Sequence, residues 1–359
     1  MTEPKTEKSP SALGFAMPAE WDLHDATWIG WPHNRSDWPG KITPVQWVYG
    51  EIARKLAAGE IVRIIVNSEK HEAQARRILT RAGADMSRME FFRFPTNRGW
   101  TRDFGPLFVK RERGKREVAI VRFRFNAWAK YKDWQKDDRV PERAARALGC
   151  RLFHAGHNGR DIVIEGGSLD VNGRGTILTT EECLLDQKTQ ARNPGLSRKE
   201  IESVFAKSLG ATNTLWLGRG IAGDDTHGHV DDLCRFVNAR TVVLCKEDDA
   251  TDYNYRVLEE NHERLAGMRL EDGSGICVVP LPMPAPLIFN GQRLPASYAN
   301  FYISNGAVLV PTFNDPNDRV ALGVLGELFA DRPVIGIHAV DLVWGLGTLH
   351  CLTQQQPAK

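Results

Sequence analysis

Amphipathic helices centred near residues 75, 145, 204, 260 and 323 each lie between strand-like runs, at intervals of roughly 55–70 residues. A unit that short cannot bury its own apolar face. A chain repeating it five times must stack or ring the units around shared cores, as radial and solenoid proteins do. The strands are expected at 61–66, 89–94, 106–110, 118–125, 161–164, 176–179, 214–217, 233–237, 241–245, 276–281, 307–310 and 333–337. The helices are expected at 69–81, 141–148, 197–209, 253–266 and from 315 to about 330. A further helix at 45–58 precedes the first strand. Ser197 and Glu200 form a capping-box pattern that starts one helix, and Pro316 suits the first turn of another.

No Pro/Gly/Ser-rich linker interrupts the series. The Pro-rich stretch 281–286 (LPMPAP) is too short for one, so one domain is expected over 13–357. The polar opening residues 1–12 are expected to form a disordered arm. Forty-seven Lys and Arg stand against 45 Asp and Glu, a balance that disfavours a nucleic-acid partner. No apolar run is long enough to span a membrane and no export signal is read, so the chain is expected in the cytoplasm with its six scattered cysteines reduced. Cys183, Cys234, Cys245 and Cys277 lie in or beside apolar runs and read as structural, and Cys150 carries no signal.

Four Gly-rich segments hold the groups able to do chemistry. In 99–106 (GWTRDFGP), Asp103 is either a turn carboxylate paired with Arg102 or a clamp for a cation, with Trp100 as a wall. In 165–168 (EGGS), Glu165 ends a buried apolar run, where an acid needs a partner: a buried Arg, or a His that it orients. Residues 223–232 (GDDTHGHVDD) hold two His and four Asp. On an extended segment His227, His229 and Asp231 would share a face, suiting either a metal or a general base beside a substrate-binding acid. In 345–353 (GLGTLHCLT), Cys351 follows a Gly-rich turn and precedes a polar run, which argues against simple core packing.

Taken in order, these segments resemble the agmatine deiminases and Porphyromonas-type peptidylarginine deiminases of the guanidino-modifying pentein superfamily. Residues 14–21 (GFAMPAEW), 28–35 (WIGWPHNR), 297–302 (SYANFY) and 350–357 (HCLTQQQP) carry the likeness across nearly the whole chain. The resemblance implies an α/β fold, the five-bladed propeller of the penteins, with no cofactor and no metal. It implies Cys351 as nucleophile, His229 as general acid/base and Glu165 as the acid supporting that His. It further implies Asp103 and Asp231 as carboxylates holding a guanidinium, with Asp225 near the substrate's far end. The implied reaction turns agmatine into N-carbamoylputrescine and ammonia, so the expected partner is a small cationic guanidino compound. Homo-oligomerisation is compatible with this reading, and a membrane partner is not expected.

Three residues depart from the family pattern: Leu346 replaces a Gly, Thr348 an Asn, and Arg98 stands where an acid is usual. They leave open another guanidino substrate, including a peptide's C-terminal arginine. The other readings are an amidinotransferase using the same Cys and His, a metal-dependent hydrolase on His227, His229 and Asp231, and a non-catalytic binding protein. Arg98 is expected to point out of the pocket or to pair with a protein carboxylate.

Overall fold

The computed structural model describes residues 8–359. Five sheets share one pattern. Each has a central strand flanked by an antiparallel strand on one side and a parallel strand on the other. The central strands are His24–Gly30, Glu117–Arg122, Thr176–Thr180, Thr241–Lys246 and Val308–Thr312. A parallel partner requires a crossover. Ile42–Leu56, Val140–Leu148, Arg198–Leu209, Tyr253–Gly267 and Asn317–Leu328 supply it in the five units. Central strands lie between a helix and neighbouring layers, so both faces are dry. Residues 242–245 (VVLC) are buried at every position, and this is why such a strand reads as a continuous apolar run rather than an alternation.

Local signals set the helix ends. The capping box forms, with Ser197 N donating to Glu200 Oε2 at 2.8 Å. Ser68 caps Glu69–Arg81 by accepting from His71 N. Pro316 falls at the N-cap of Asn317–Leu328, one position before the expected first turn.

The first unit differs from the sequence reading. Its central strand His24–Gly30 was not anticipated, nor was its antiparallel partner Thr353–Pro357, a buried strand of sequence TQQQP. The unit's crossover is therefore Ile42–Leu56. The helix Glu69–Arg81 instead joins Ile61–Val66 to an additional parallel strand, Met89–Arg93. Because Thr353–Pro357 pairs with His24–Gly30, the two ends of the chain share one sheet.

The expected strand at 161–164 is also corrected. Arg160–Asp161 closes a two-residue hairpin with Gly156–His157, and beyond it only Val163 bridges, to Arg124. Here the Asn193 amide replaces the ladder: it accepts from Val163 N at 2.9 Å and donates to Val163 O at 2.7 Å. Residues 1–7 of the expected arm lie outside the described residues, and Ser11–Leu13 forms a 3₁₀ turn that packs on Arg198–Leu209. No helix among the described residues is long and apolar enough to cross a membrane.

The repeat determines where the reactive groups fall. Each lies just before the antiparallel strand of a unit. Asp103 is in the turn Thr101–Phe104, before Leu107–Arg111. Glu165 precedes Gly166–Ser168 and then Asp170–Val171. His229 and Asp231 flank and occupy Val230–Asp232, before Cys234–Asn238. Asn300 precedes Tyr302–Ile303, and Cys351 sits in Leu349–Leu352, before Thr353–Pro357. Thr101–Phe104 packs on both Leu349–Leu352 and Gly166–Ser168, and the latter packs on Val230–Asp232.

Candidate active site

The converging turns bring a thiol, an imidazole and several carboxylates together. Cys351 Sγ lies 3.8 Å from Asp231 Oδ2 and accepts from Asn300 Nδ2 at 3.1 Å. Burial, then Asp231, Asp232 and Asp103, push the Cys351 thiol well above its usual range. Gly347 is required beside it, since a Cβ there would stand 3.1 Å from the Cys351 sulfur and 3.0 Å from the Trp100 ring.

Asp103 accepts from Trp128 Nε1 at 2.9 Å and from Gly167 N at 3.0 Å. Burial raises its carboxyl to about 6, against the pull of His229. Asp231 Oδ2 pairs with His350 Nδ1 at 2.6 Å, while its Oδ1 has no hydrogen-bond partner. Burial works against the Asp231 charge, but His350 and His229 hold its carboxyl below the ordinary value. Asp103, Asp231 and His229 crowd Gly167 more closely than any residue with a Cβ would allow. A Cβ on Gly167 would lie 2.6 Å from His229 Nδ1, 2.8 Å from Asp103 Oδ1 and 3.0 Å from Asp231 Oδ2.

His229 is fully buried, with Nδ1 3.7 Å from Asp103 Oδ1 and 4.0 Å from Asp231 Oδ1, and Nε2 3.6 Å from Glu165 Oε2. Neither ring nitrogen makes a hydrogen bond. Burial opposes its charge, yet Asp103, Cys183 and Glu165 push the imidazole well above its usual value. Glu165 is itself buried. Burial would raise its carboxyl, but Arg192, which donates Nε to both carboxylate oxygens at 3.2 and 3.3 Å, and His229 bring it down to about 2. The sequence left open whether Glu165 serves a buried Arg or a His, and it faces both.

A cavity of about 310 Å³ opens from Cys351 and Asp103 toward solvent. Trp100, Trp128, Phe289, Trp344 and Leu346 form its apolar wall. Its outer part carries Asp37, Arg98, Tyr131 and Asp225. Arg98 pairs with Asp37 and, at 3.2 Å, with Asp133, and lies 4.3 Å over the Tyr131 ring. The expected carboxylate pairing of Arg98 is thus present, although Arg98 also lines the cavity. Asp225 accepts from Lys130 Nζ at 2.5 Å and from the Tyr131 hydroxyl at 2.7 Å. The segment carrying Trp128, Lys130 and Tyr131 begins with three left-handed residues, Ala127, Trp128 and Ala129, at φ 51°, 58° and 52°. Such backbone is costly for residues with a Cβ and persists only where surroundings impose it.

One sequence reading falls. His227, His229 and Asp231 do not share a face, because the segment is not extended: His227 is left-handed at φ 65° and Val230–Asp232 is a 3₁₀ turn. His227 instead pairs with Asp186 at 2.9 Å. Among the described residues, the side chains close enough to share a cation are Glu165, Cys183 and His229, and Asp231, Asp232 and Cys351; neither set includes His227.

Several contributors were not anticipated. His350 spans Asp231 and Glu20, its Nε2 2.8 Å from Glu20 Oε2. Glu20 is also paired with Arg102 and Arg235. Asn300 Oδ1 accepts from Thr348 Oγ1 at 2.7 Å, so the Thr at this departure position makes a hydrogen bond of its own. Arg192, Trp128 and Lys130 sit in stretches without Gly-flanked clusters, and nothing local in the sequence marks them. His350 and Asn300 lie inside motifs already singled out, where a polar residue next to Cys351 or before a strand was the available signal.

A cavity that ends on a buried thiol among carboxylates, carried by five repeated mixed sheets, defines an α/β protein with a pocket suited to a small planar cation. The chain belongs to the Porphyromonas-type peptidyl-arginine deiminase family, whose model matches residues 16–357. It is 35% identical to the agmatine deiminase of Ectopseudomonas mendocina over 373 aligned residues, covering 98% of this chain and 97% of that protein. The structure of Enterococcus faecalis agmatine deiminase superposes with a TM-score of 0.89 at 31% identity, with 98% of each chain covered. A cysteine-to-serine variant of C. jejuni agmatine deiminase with substrate bound superposes with a TM-score of 0.82 at 29% identity, covering 95% of this chain and 96% of that one.

Proposed function

We propose that this chain hydrolyses the guanidino group of a small substrate, agmatine above others, to a ureido product and ammonia through a covalent intermediate on Cys351. The observation carrying this reading is a cavity that ends on the Cys351 thiol and Asp103, with Asp231 3.8 Å from the sulfur and its Oδ1 without a hydrogen-bond partner. The names of the full-length relatives support agmatine.

A guanidinium is a weak electrophile, and two carboxylates hold its N–H groups in plane and fix its carbon near sulfur. Burial, and then the same carboxylates, favour the protonated thiol of Cys351. An entering guanidinium cancels their charge, so the thiol gives its proton to solvent when the substrate is in place and takes one back after the product leaves. The thiolate attacks the guanidino carbon, and the protonated His229 gives its proton to the departing nitrogen. Ammonia leaves and a thiouronium ester remains. Neutral His229 then takes a proton from water, which adds to the same carbon. Collapse expels the thiolate and the ureido product, and the excess proton is released with the ammonia as ammonium. Glu165, tied down by Arg192, keeps His229 charged for the first step.

The five units are read as blades around one axis, and 13–357 as one catalytic domain, because the reactive groups enter at equivalent points of the five units. An ammonia-release screen over agmatine, arginine, a C-terminal-arginine peptide and methylated guanidines tests the reading. Agmatine is expected to lead, and release from none of them would reject it.

A further inference from the structure

The outer cavity holds two acids beyond the Cys351 end, Asp37 and Asp225. Asp37 is taken by Arg98, whose fixed guanidinium neutralises it. That leaves Asp225 as the acid that can receive a positively charged tail. Its two oxygens are already used, by the Tyr131 hydroxyl and by Lys130. The hydroxyl can stay while a cation binds, because it brings no net charge. The Lys130 ammonium cannot, because it sits on the same oxygen with the same charge that an alkylammonium tail would bring.

Lys130 is held differently from its surroundings. Its backbone follows the left-handed turn Ala127–Ala129, which is pinned by Trp128 Nε1 on Asp103 and by Gln190 Nε2, donating at 3.1 Å to the carbonyls of both Trp128 and Asp225. Its side chain, 40% exposed on a four-carbon stem, is free to swing into solvent. A fixed base, a mobile ammonium and an acid inside the cavity together make a displaceable counter-ion.

We propose that Lys130 is a specificity-determining residue: its ammonium competes with the substrate's distal cation for Asp225, and so narrows the advantage that agmatine holds over guanidines with a neutral or anionic tail. This inference rests on the proposed guanidine chemistry at Cys351. Agmatine then binds by displacing Lys130. A tail ending in carboxylate can instead be met by Lys130 itself.

Three guanidines of matched length separate the effects: agmatine, butylguanidine and 4-guanidinobutyrate, read as kcat/KM for ammonia release. In Lys130→Met the agmatine-to-butylguanidine ratio should rise by roughly three- to ten-fold, the range expected for freeing a largely buried acid from a part-exposed counter-ion. The 4-guanidinobutyrate-to-butylguanidine ratio should fall. Lys130→Arg keeps the charge and should leave both ratios within about two-fold of the parent, since only a charge effect is invoked. In an Asp225→Asn background, Lys130→Met should no longer move the agmatine ratio. An unchanged ratio in Lys130→Met, an equal rise in Lys130→Arg, or a rise that survives Asp225→Asn would overturn the proposal. If no guanidine releases ammonia, the hydrolytic reading fails by itself. The same ratios are then taken as Kd by calorimetry, and an unchanged agmatine ratio there would overturn the role of Lys130 separately.

Discussion

Replacing Gly167 with Ala forces one methyl group into the tight packing between Gly167 and His229, Asp103 and Asp231, the groups proposed to hold the guanidinium and move its protons. The new carbon would sit 2.6 Å from His229 Nδ1, 2.8 Å from Asp103 Oδ1 and 3.0 Å from Asp231 Oδ2. Uncrowded contacts begin near ~3.5 Å, so His229 must retreat by roughly 0.9 Å and the two carboxylates by about 0.5–0.7 Å. The neighbours are not free to do so: His229 is boxed in by Glu165, and Asp103 is held by Trp128 and by the Gly167 amide itself. Overpacking of this kind costs about 1–3 kcal/mol of stability. The catalytic cost is larger, because a misplacement of about 1 Å is worth on the order of 10²-fold. Steady-state ammonia release from agmatine should drop at least ~10²-fold in kcat/KM, with a cooperative thermal transition retained. If the variant kept more than about a tenth of parental kcat/KM with an intact transition, the guanidinium would have to bind elsewhere and the clamp would be wrong.

Four further outcomes follow from the same geometry. Cys351→Ser should lower turnover by on the order of 10³-fold or more while calorimetry still detects agmatine binding, since the clamp is untouched; near-parental turnover would exclude Cys351 as nucleophile. Because burial raises Asp103 to about 6, kcat/KM for agmatine should show an acid limb near pH 6, the guanidinium itself staying charged throughout; a limb below pH 5 would reject Asp103 as the group. The sign for stability is opposite: the folded state holds this proton more tightly than the unfolded chain, so Asp103's contribution is full near pH 4 and is lost as pH rises through 6, as pH-dependent denaturation of the parent against Asp103→Asn would register. Leu346 is left-handed at φ 69°, so Leu346→Gly should hold or raise Tm, whereas the β-branched Leu346→Val should lose about 1–2 kcal/mol in denaturant titration; the reverse order would contradict this backbone reading.

The parts of this fold legible in the sequence were those whose local chemistry agrees with their environment. Glu69–Arg81 and Arg198–Leu209 carry caps and amphipathic spacing, and strands such as Thr241–Lys246 and Val308–Thr312 are runs rich in apolar residues, whereas Arg151–His154, Asp170–Val171 and Tyr302–Ile303, polar or only two residues long, were not read. Thr353–Pro357 was illegible for the opposite reason. Three glutamines in a row advertise a solvated tail, yet the strand is buried along its length and its side-chain amides are used as partners. Gln355 accepts from Arg102 at 2.7 Å and Gln356 accepts from Trp28 Nε1 at 3.0 Å. A polar strand of this kind is tolerated inside only because its hydrogen bonds are met by groups some 250 and 330 positions away in sequence, which no local pattern can reveal. The missed strand His24–Gly30 is the other half of that same sheet. The candidate site divides along the same line. Cys351, His229, Asp103, Asp231 and Glu165 stood out because reactive groups were set among glycines. Arg192, Trp128 and Lys130 did not, because they act by reaching into the site from distant stretches: Arg192 onto Glu165, Trp128 onto Asp103, Lys130 onto Asp225. The sequence therefore marks the groups proposed to meet the guanidino carbon. The groups that set their charge and choose the tail of the substrate become visible only when the five units are brought together.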